Sequence, residues 1–255
     1  EDGRLTVVDG LQRISTILSF MKDSLVLSNL EYLEDCNGKR FSELDEILSP
    51  LRLRRFGQTQ VMCFVIDYRS PSQLKFDLFR RLNTGGKPLN NQEIRNCLSR
   101  PDVQKVLKAM VSQDSFKEAT GNSVKDTRMD ARESALRFIY FYEQYTETNP
   151  VGQYNGDMES TLDKFTDDLN RRAPESLQKY ISIYDNALRI SHHLFDKQCF
   201  RKVLPDNLDG RRSQINKLLM LSLSVLFTKY QFGDIQNRFS RGSLVAPIAQ
   251  FIESE

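Results

Sequence analysis

From about residue 70 to the C-terminus, apolar residues recur every three or four positions almost without interruption, a period that commits most of the chain to packed helices. Leu74, Leu78 and Leu82 form one such stripe, and Val103, Val106, Leu107, Met110 and Val111 form another, started by Pro101. Further stripes run through Ala135, Phe138, Ile139 and Tyr142, then through Met158, Leu162, Phe165 and Leu169, and then through Leu177, Tyr180, Tyr184 and Leu188. Residues 215–227 are apolar nearly all round, which predicts a helix at the centre of the bundle. The aromatic group Phe138, Tyr140, Phe141, Tyr142 and Tyr145 spreads around its helix, so core packing accounts for it better than base stacking does.

The first section has a different pattern. Residues 5–8 are a short β-branched run that breaks at Asp9-Gly10 and passes into a helical stripe of Ile14, Ile17, Leu18 and Met21, so the order is strand, tight turn, helix. Residues 25–33 and 39–41 flank Asn37-Gly38, the dipeptide of a two-residue hairpin turn. Residues 59–67, with Val61, Phe64, Val65 and Ile66, read as a largely buried strand. The expectation is an α+β protein, with a small sheet in residues 1–100 and a larger helical bundle in residues 101–255.

At the first turn, Gln12 and Arg13 project from the start of a helix whose leading N–H groups have no intrahelical partners. Such a helix end attracts an anion, most naturally a phosphate. The plainer reading also stands: Asp9 as an N-cap, Gly10 as a turn residue and Arg13 as a solvated side chain. A second segment, Asn83, Thr84, Gly85, Gly86 and Lys87, separates two helices, and Asn90 with Glu93 forms a capping-box pattern behind it. Its paired glycines let backbone approach a ligand closely, although a simple connector uses them too.

Together these residues resemble the ParB/sulfiredoxin-like domain of GmrSD-type, modification-dependent restriction systems. The family's Asp-Gly-Gln-Gln-Arg signature is matched by Asp9, Gly10, Gln12 and Arg13, with Leu11 in place of the first glutamine. Its Asn-Thr-Gly-Gly loop, followed by a leucine and a Glu-Ile pair, is matched by Asn83, Thr84, Gly85, Gly86, Leu89, Glu93 and Ile94. A looser similarity continues through residues 129–138 and 212–219. Family members carry another strand-and-helix portion before the first signature, so the resemblance implies an N-terminally shortened member with an incomplete sheet.

The resemblance further implies a cytoplasmic protein that binds a nucleoside triphosphate, of a base the sequence does not specify, with Mg2+ as companion ion. Weak hydrolysis would accompany a regulatory or sensor role in antiphage or modified-DNA restriction. Arg13 would take phosphate charge, Gln12 would orient a phosphate or the attacking water, and Asp9 would cap the helix or hold magnesium. Gly10 and the Asn83-to-Lys87 loop would line the pocket. Leu11 either packs in the core or removes a contact that hydrolysis needs. DNA cutting would fall to a separate nuclease subunit or domain, because the adjacent His192 and His193 diverge by about 100 degrees on a helix and cannot share a metal. The alternative is a noncatalytic DNA-binding or protein-interaction module in which the signature is structural.

Composition narrows these choices. A net charge of +2 gives no overall field for nucleic acid, leaving only local basic groups: Arg52, Arg54 and Arg55; Arg80 and Arg81; Arg171 and Arg172; Arg211 and Arg212. Four scattered cysteines include no Cys-x-x-Cys pair, so no zinc or dithiol site is expected. The longest apolar run, residues 218–227, is interrupted by serines and is too short to span a bilayer, so no membrane association is expected.

Overall fold

The computed structural model describes residues 7, 9–66, 70–82, 88–149, 151–208 and 212–254. Among them the chain is helical. Twelve α-helices are joined by loops and short 3-10 turns, and the β-type pairing is limited to an isolated antiparallel bridge between Arg201 and Ile215. The expected α+β architecture with a small ParB/sulfiredoxin-like sheet is thereby corrected to an all-helical one. The chain divides into two compact units, Glu1–Ser70 and Pro71–Glu255, so the division expected near residue 100 falls inside the second unit.

A strand exists only through a partner that completes its backbone hydrogen bonds, and in the first unit those partners are missing among the described residues. Residues 59–66 form no strand, and Val61, Met62, Phe64 and Val65 are exposed, Phe64 to 90 %. Around Asn37-Gly38 the two segments do meet: Leu27 donates to Lys39 O at 2.9 Å and accepts from Gly38 N at 2.8 Å. The Asn37 side chain then occupies both backbone groups of Leu30, and residues 34–36 turn into a 3-10 helix, so no ladder develops.

Helices α1 (Leu11–Met21) and α2 (Pro50–Gly57) frame the small core of this unit. Phe20, Cys36 and Leu44 are its buried members, with Phe41 and Phe56 edge-on to Phe20 at 5.6 and 6.0 Å. The inward residue of α1 is therefore Phe20, while Ile17, Leu18 and Met21 from the expected core stripe stay exposed.

The second unit holds α3 (Ser72–Leu82), α4 (Asn91–Leu98), α5 (Pro101–Ser112), α6 (Asp114–Thr120), α7 (Asp130–Tyr145) and α8 (Met158–Arg171). It continues with α9 (Pro174–Phe195), α10 (Lys217–Leu226), α11 (Phe232–Arg238) and α12 (Val245–Ser254). The centre is α9, along which α5, α6, α10 and α11 pack. Residues 215–227 do not form the expected centre: α10 buries Met220, Ser224 and Val225 and leaves Leu218 and Leu226 at the surface. The aromatic group of α7 packs internally, with Phe138 4.5 Å from Tyr184 and Tyr140 5.4 Å from Phe165 between ring centroids.

Candidate functional site

Helix α1 starts at Gly10, whose φ of 83° is a left-handed value that side-chain-bearing residues adopt only with strain. No side chain caps this end. The first intrahelical bond runs from Ile14 N to Gly10 O at 2.9 Å, and the amides of Leu11, Gln12 and Arg13 have no partner among the described residues. Asp9 does not act as the expected N-cap; its Oδ2 accepts from the Arg13 guanidinium at 2.8 Å. That bond draws Arg13 back over Gly10, so closely that a β-carbon on Gly10 would stand 3.4 Å from the guanidinium nitrogen. Glycine is thus needed for its dihedral angle, since a β-carbon there would only touch the mobile end of the exposed Arg13 side chain at ordinary van der Waals distance.

The site faces solvent. Arg13 is 77 % exposed and Asp9 47 %, so their ion pair contributes only about 0–1 kcal/mol and exchanges readily for other partners. Gln12 is exposed, and so is Leu11, at 64 %, which removes core packing within this unit as the reason for a leucine there. Three open amides and one guanidinium can together receive a doubly charged oxyanion.

Asn83, Thr84, Gly85, Gly86 and Lys87, expected to line the same pocket, lie outside the described residues, as do residues 5, 6 and 8 of the expected first strand and Arg211. Both flanks of the 83–87 segment are fixed within the second unit. At the end of α3, Arg80 donates to Asn91 Oδ1 at 3.1 Å and to Asp163 Oδ2 at 2.6 Å. At the start of α4 the expected capping box is formed, Glu93 N to Asn90 Oδ1 at 2.8 Å and Asn90 N to Glu93 Oε2 at 2.7 Å. Arg128 then ties this start to the turn before α7: it donates to Glu93 Oε2 at 2.8 Å and to Pro88 O at 2.6 Å, and its own carbonyl accepts from Asn90 at 2.8 Å. Arg128 and Met129 hold left-handed dihedrals, φ 60° and 62°, that these bonds compensate.

Beneath them lies an ion-pair cluster that sequence reading missed. Arg95 is fully buried and donates through Nε to Asp163 Oδ1 at 2.8 Å, with Glu159 and Gln92 as further partners. The only hint in the sequence is a charge beside the apolar arc of α8, and no spacing rule links residues 68 positions apart.

The basic groups separate into two kinds. Arg80 and Arg172 are paired across helices, Arg80 with Asp163 and Arg172 with Glu143, so they stabilise the bundle, whereas Arg171 is exposed and pairs with Asp167 on its own helix. Arg52, Arg54, Arg55, Arg81 and Arg212 are exposed and have no ion pair among the described residues. His192 lies 3.5 Å from Glu118 and His193 bonds Phe239 O at 2.8 Å; no group of three metal-ligating side chains occurs among the described residues. None of the described helices is long and apolar enough to cross a membrane.

Residues 1–99 match the family model of the GmrSD restriction endonuclease, N-terminal domain, a stretch that includes both signature segments. This portion of the chain is thereby tied to GmrSD-type restriction systems. Neither the curated proteins nor the solved structures contain a match to the chain.

Proposed function

We propose that the N-terminal unit binds the phosphates of a nucleoside triphosphate at the Asp9-to-Arg13 turn, as the regulatory or sensor part of an antiphage restriction system directed at modified DNA. The observation that carries this reading is the first turn of α1, where three amides without partners among the described residues stand beside the Arg13 guanidinium. Binding then exchanges partners: Arg13 releases Asp9 and takes a phosphate oxygen. Asp9, freed, is the one carboxylate in the turn able to meet Mg2+, which binds through one or two carboxylates plus substrate phosphates and would neutralise phosphate charge. Gln12, exposed beside them, orients a phosphate or water, while Leu11 supplies no hydrogen bond, so turnover is weak.

The test is calorimetric titration of the full chain with the magnesium complexes of ATP and GTP. Arg13→Ala should weaken binding by about 1.5–3 kcal/mol, the worth of a hydrogen bond to a charged group, with thermal stability unchanged. Equal affinity in wild type and variant defeats the proposal. A second reading rests on α2, where Arg52, Arg54 and Arg55 form an exposed group without ion pairs that suits a DNA backbone. Its mark is DNA affinity that falls steeply with salt and is reduced by Arg52→Ala and Arg55→Ala, with Arg13→Ala having no effect on it.

A further inference from the structure

The second unit contains a cavity of about 510 Å³ bounded by α7, the start of α8, α9 and α10. It is a cleft open to solvent at Leu218, which is 71 % exposed, and its size falls in the range of small-molecule sites. Its wall is mostly apolar. Phe138 and Tyr184 form part of it, and because their rings also pack on each other in the core they give it a rigid surface. Met158 and Met220 add adaptable thioethers, and Leu218, largely exposed, stands on the wall as well.

Two polar features set the chemistry. The first is Ser224, which lines the cavity, is 1 % exposed and has no hydrogen-bond partner for its Oγ among the described residues. Other buried helical hydroxyls in this unit bond the carbonyl one turn back, as Ser191 does to Ala187, Thr166 to Leu162 and Thr120 to Phe116. Ser224 does not take that bond, and a buried hydroxyl left unpaired is costly unless a ligand completes it. The second feature is cationic. Arg137, held by Glu133 through Nε and Nη2, and Lys217, 3.5 Å from Asp130, both border the cavity. Lys217 also opens α10, so the positive end of that helix lies at the same edge. Lys217 and Ser224 are seven residues apart, which places them on one helix face about 10 Å from each other, with Met220 and Leu221 between.

We propose that this cavity binds a small amphipathic anion: a flat, mainly apolar body about 10 Å long, with its charge at Arg137 and Lys217 and a hydrogen-bonding atom at the far end for Ser224. Aryl carboxylates and aryl phosphates bearing a distal hydroxyl or carbonyl are the matching class. The site is independent of the nucleotide reading for Arg13, because every residue in it belongs to the second unit.

The probe is 6-hydroxy-2-naphthoate, compared with 2-naphthoate, which lacks the hydroxyl, and 2-naphthol, which lacks the carboxylate. The full chain is labelled with 13C at its six methionine methyl groups. Saturable shifts should appear at Met158 and Met220 and be absent at Met21 and Met62. Affinity should fall about tenfold from 6-hydroxy-2-naphthoate to either comparison compound, as for one lost hydrogen bond or charge contact. Ser224→Ala should erase the advantage of the hydroxyl, Lys217→Ala should erase that of the carboxylate, and Leu218→Trp, at an exposed position, should abolish the shifts. No saturable shift at Met158 and Met220 up to millimolar probe, or equal affinity for all three compounds, overturns the proposal.

Discussion

Single residues in this chain are informative where exposure or strain contradicts what their type prefers. Leu11 is a large apolar side chain placed in water beside the Asp9-to-Arg13 turn, so no packing among the described residues of its own unit explains it. Leu11→Gln should therefore leave unfolding free energy within about 0.5 kcal/mol of wild type, and raise nucleotide turnover without changing nucleotide affinity. A loss of several kcal/mol in urea unfolding would mean that position 11 is packed after all. His192 makes a second case. Burial and the neighbouring Arg241 hold its imidazole below the ordinary value, outweighing Glu118 and Asp196, which pull the other way. The contacts agree: Arg241 lies 3.3 Å from Nε2, which must then accept, while Nδ1 faces Glu118. Folded protein thus binds this proton less readily than unfolded chain does, so just below pH 6.5 the unfolded state carries more protons and stability rises with pH. Urea unfolding at pH 5.5 and 7.5 should show a larger gain in wild type than in His192→Gln; an equal gain in both assigns the dependence to other groups.

At the scale of elements, what was legible in the sequence was local and what was not was paired. All five residues of the Val103-to-Val111 stripe are buried in α5, and the Asn90–Glu93 box starts α4, because both signals are complete within one or two helical turns. The Asp9-Gly10 break into a helix was legible for the same reason, although Gly10 and not the expected Asp9 stands at the cap position of α1. Residues 59–66 carry as strong a β-branched and aromatic pattern, yet pattern supplies no partner, and the segment forms no strand with the described residues. The Arg13–Asp9 pair, four residues apart, was within reach of helical spacing and was passed over in favour of a cap. The Arg95–Asp163 pair was beyond reach, since it depends on how α4 and α8 meet. These two arginines therefore differ sharply in what they contribute. Removing Arg95 leaves Asp163, 1 % exposed, with Arg80 as its remaining cation, so Arg95→Ala should cost about 3 kcal/mol or more in urea unfolding. Asn90→Ala, which removes a cap, should cost about 1 kcal/mol. A loss below about 1 kcal/mol for Arg95→Ala would show that Arg80 alone satisfies the buried Asp163 carboxylate.

Over the whole molecule, apolar burial is divided very unequally between the two units. In Pro71–Glu255 one continuous core runs from Val103 through α7, α8 and α9 to Ile235, and it includes the fully buried rings of Phe138, Tyr140, Phe165, Tyr180 and Tyr184. One polar group inside it is well matched: Tyr180 donates to Glu143, which also binds Arg172, and burial, followed by the Glu143 carboxylate, holds the tyrosine proton more firmly than usual, against the Arg172 cation, which pulls the other way. Among the described residues of Glu1–Ser70 the buried apolar set is Phe20, Cys36 and Leu44, while Leu11, Tyr32, Met62 and Phe64 remain in water. A domain of that length is marginal even when well packed, because little of its surface leaves solvent. The stability of the chain must therefore reside in the second unit. A fragment of residues 71–255 should be helical by circular dichroism and unfold in one cooperative transition, whereas residues 1–70 alone should show no cooperative melt. The same fragment should retain the naphthoate response at Met158 and Met220 and bind no nucleotide. A non-cooperative melt of residues 71–255, with exposed apolar surface reported by dye binding, would mean that its core is not self-sufficient and that the first unit contributes more than its own packing displays.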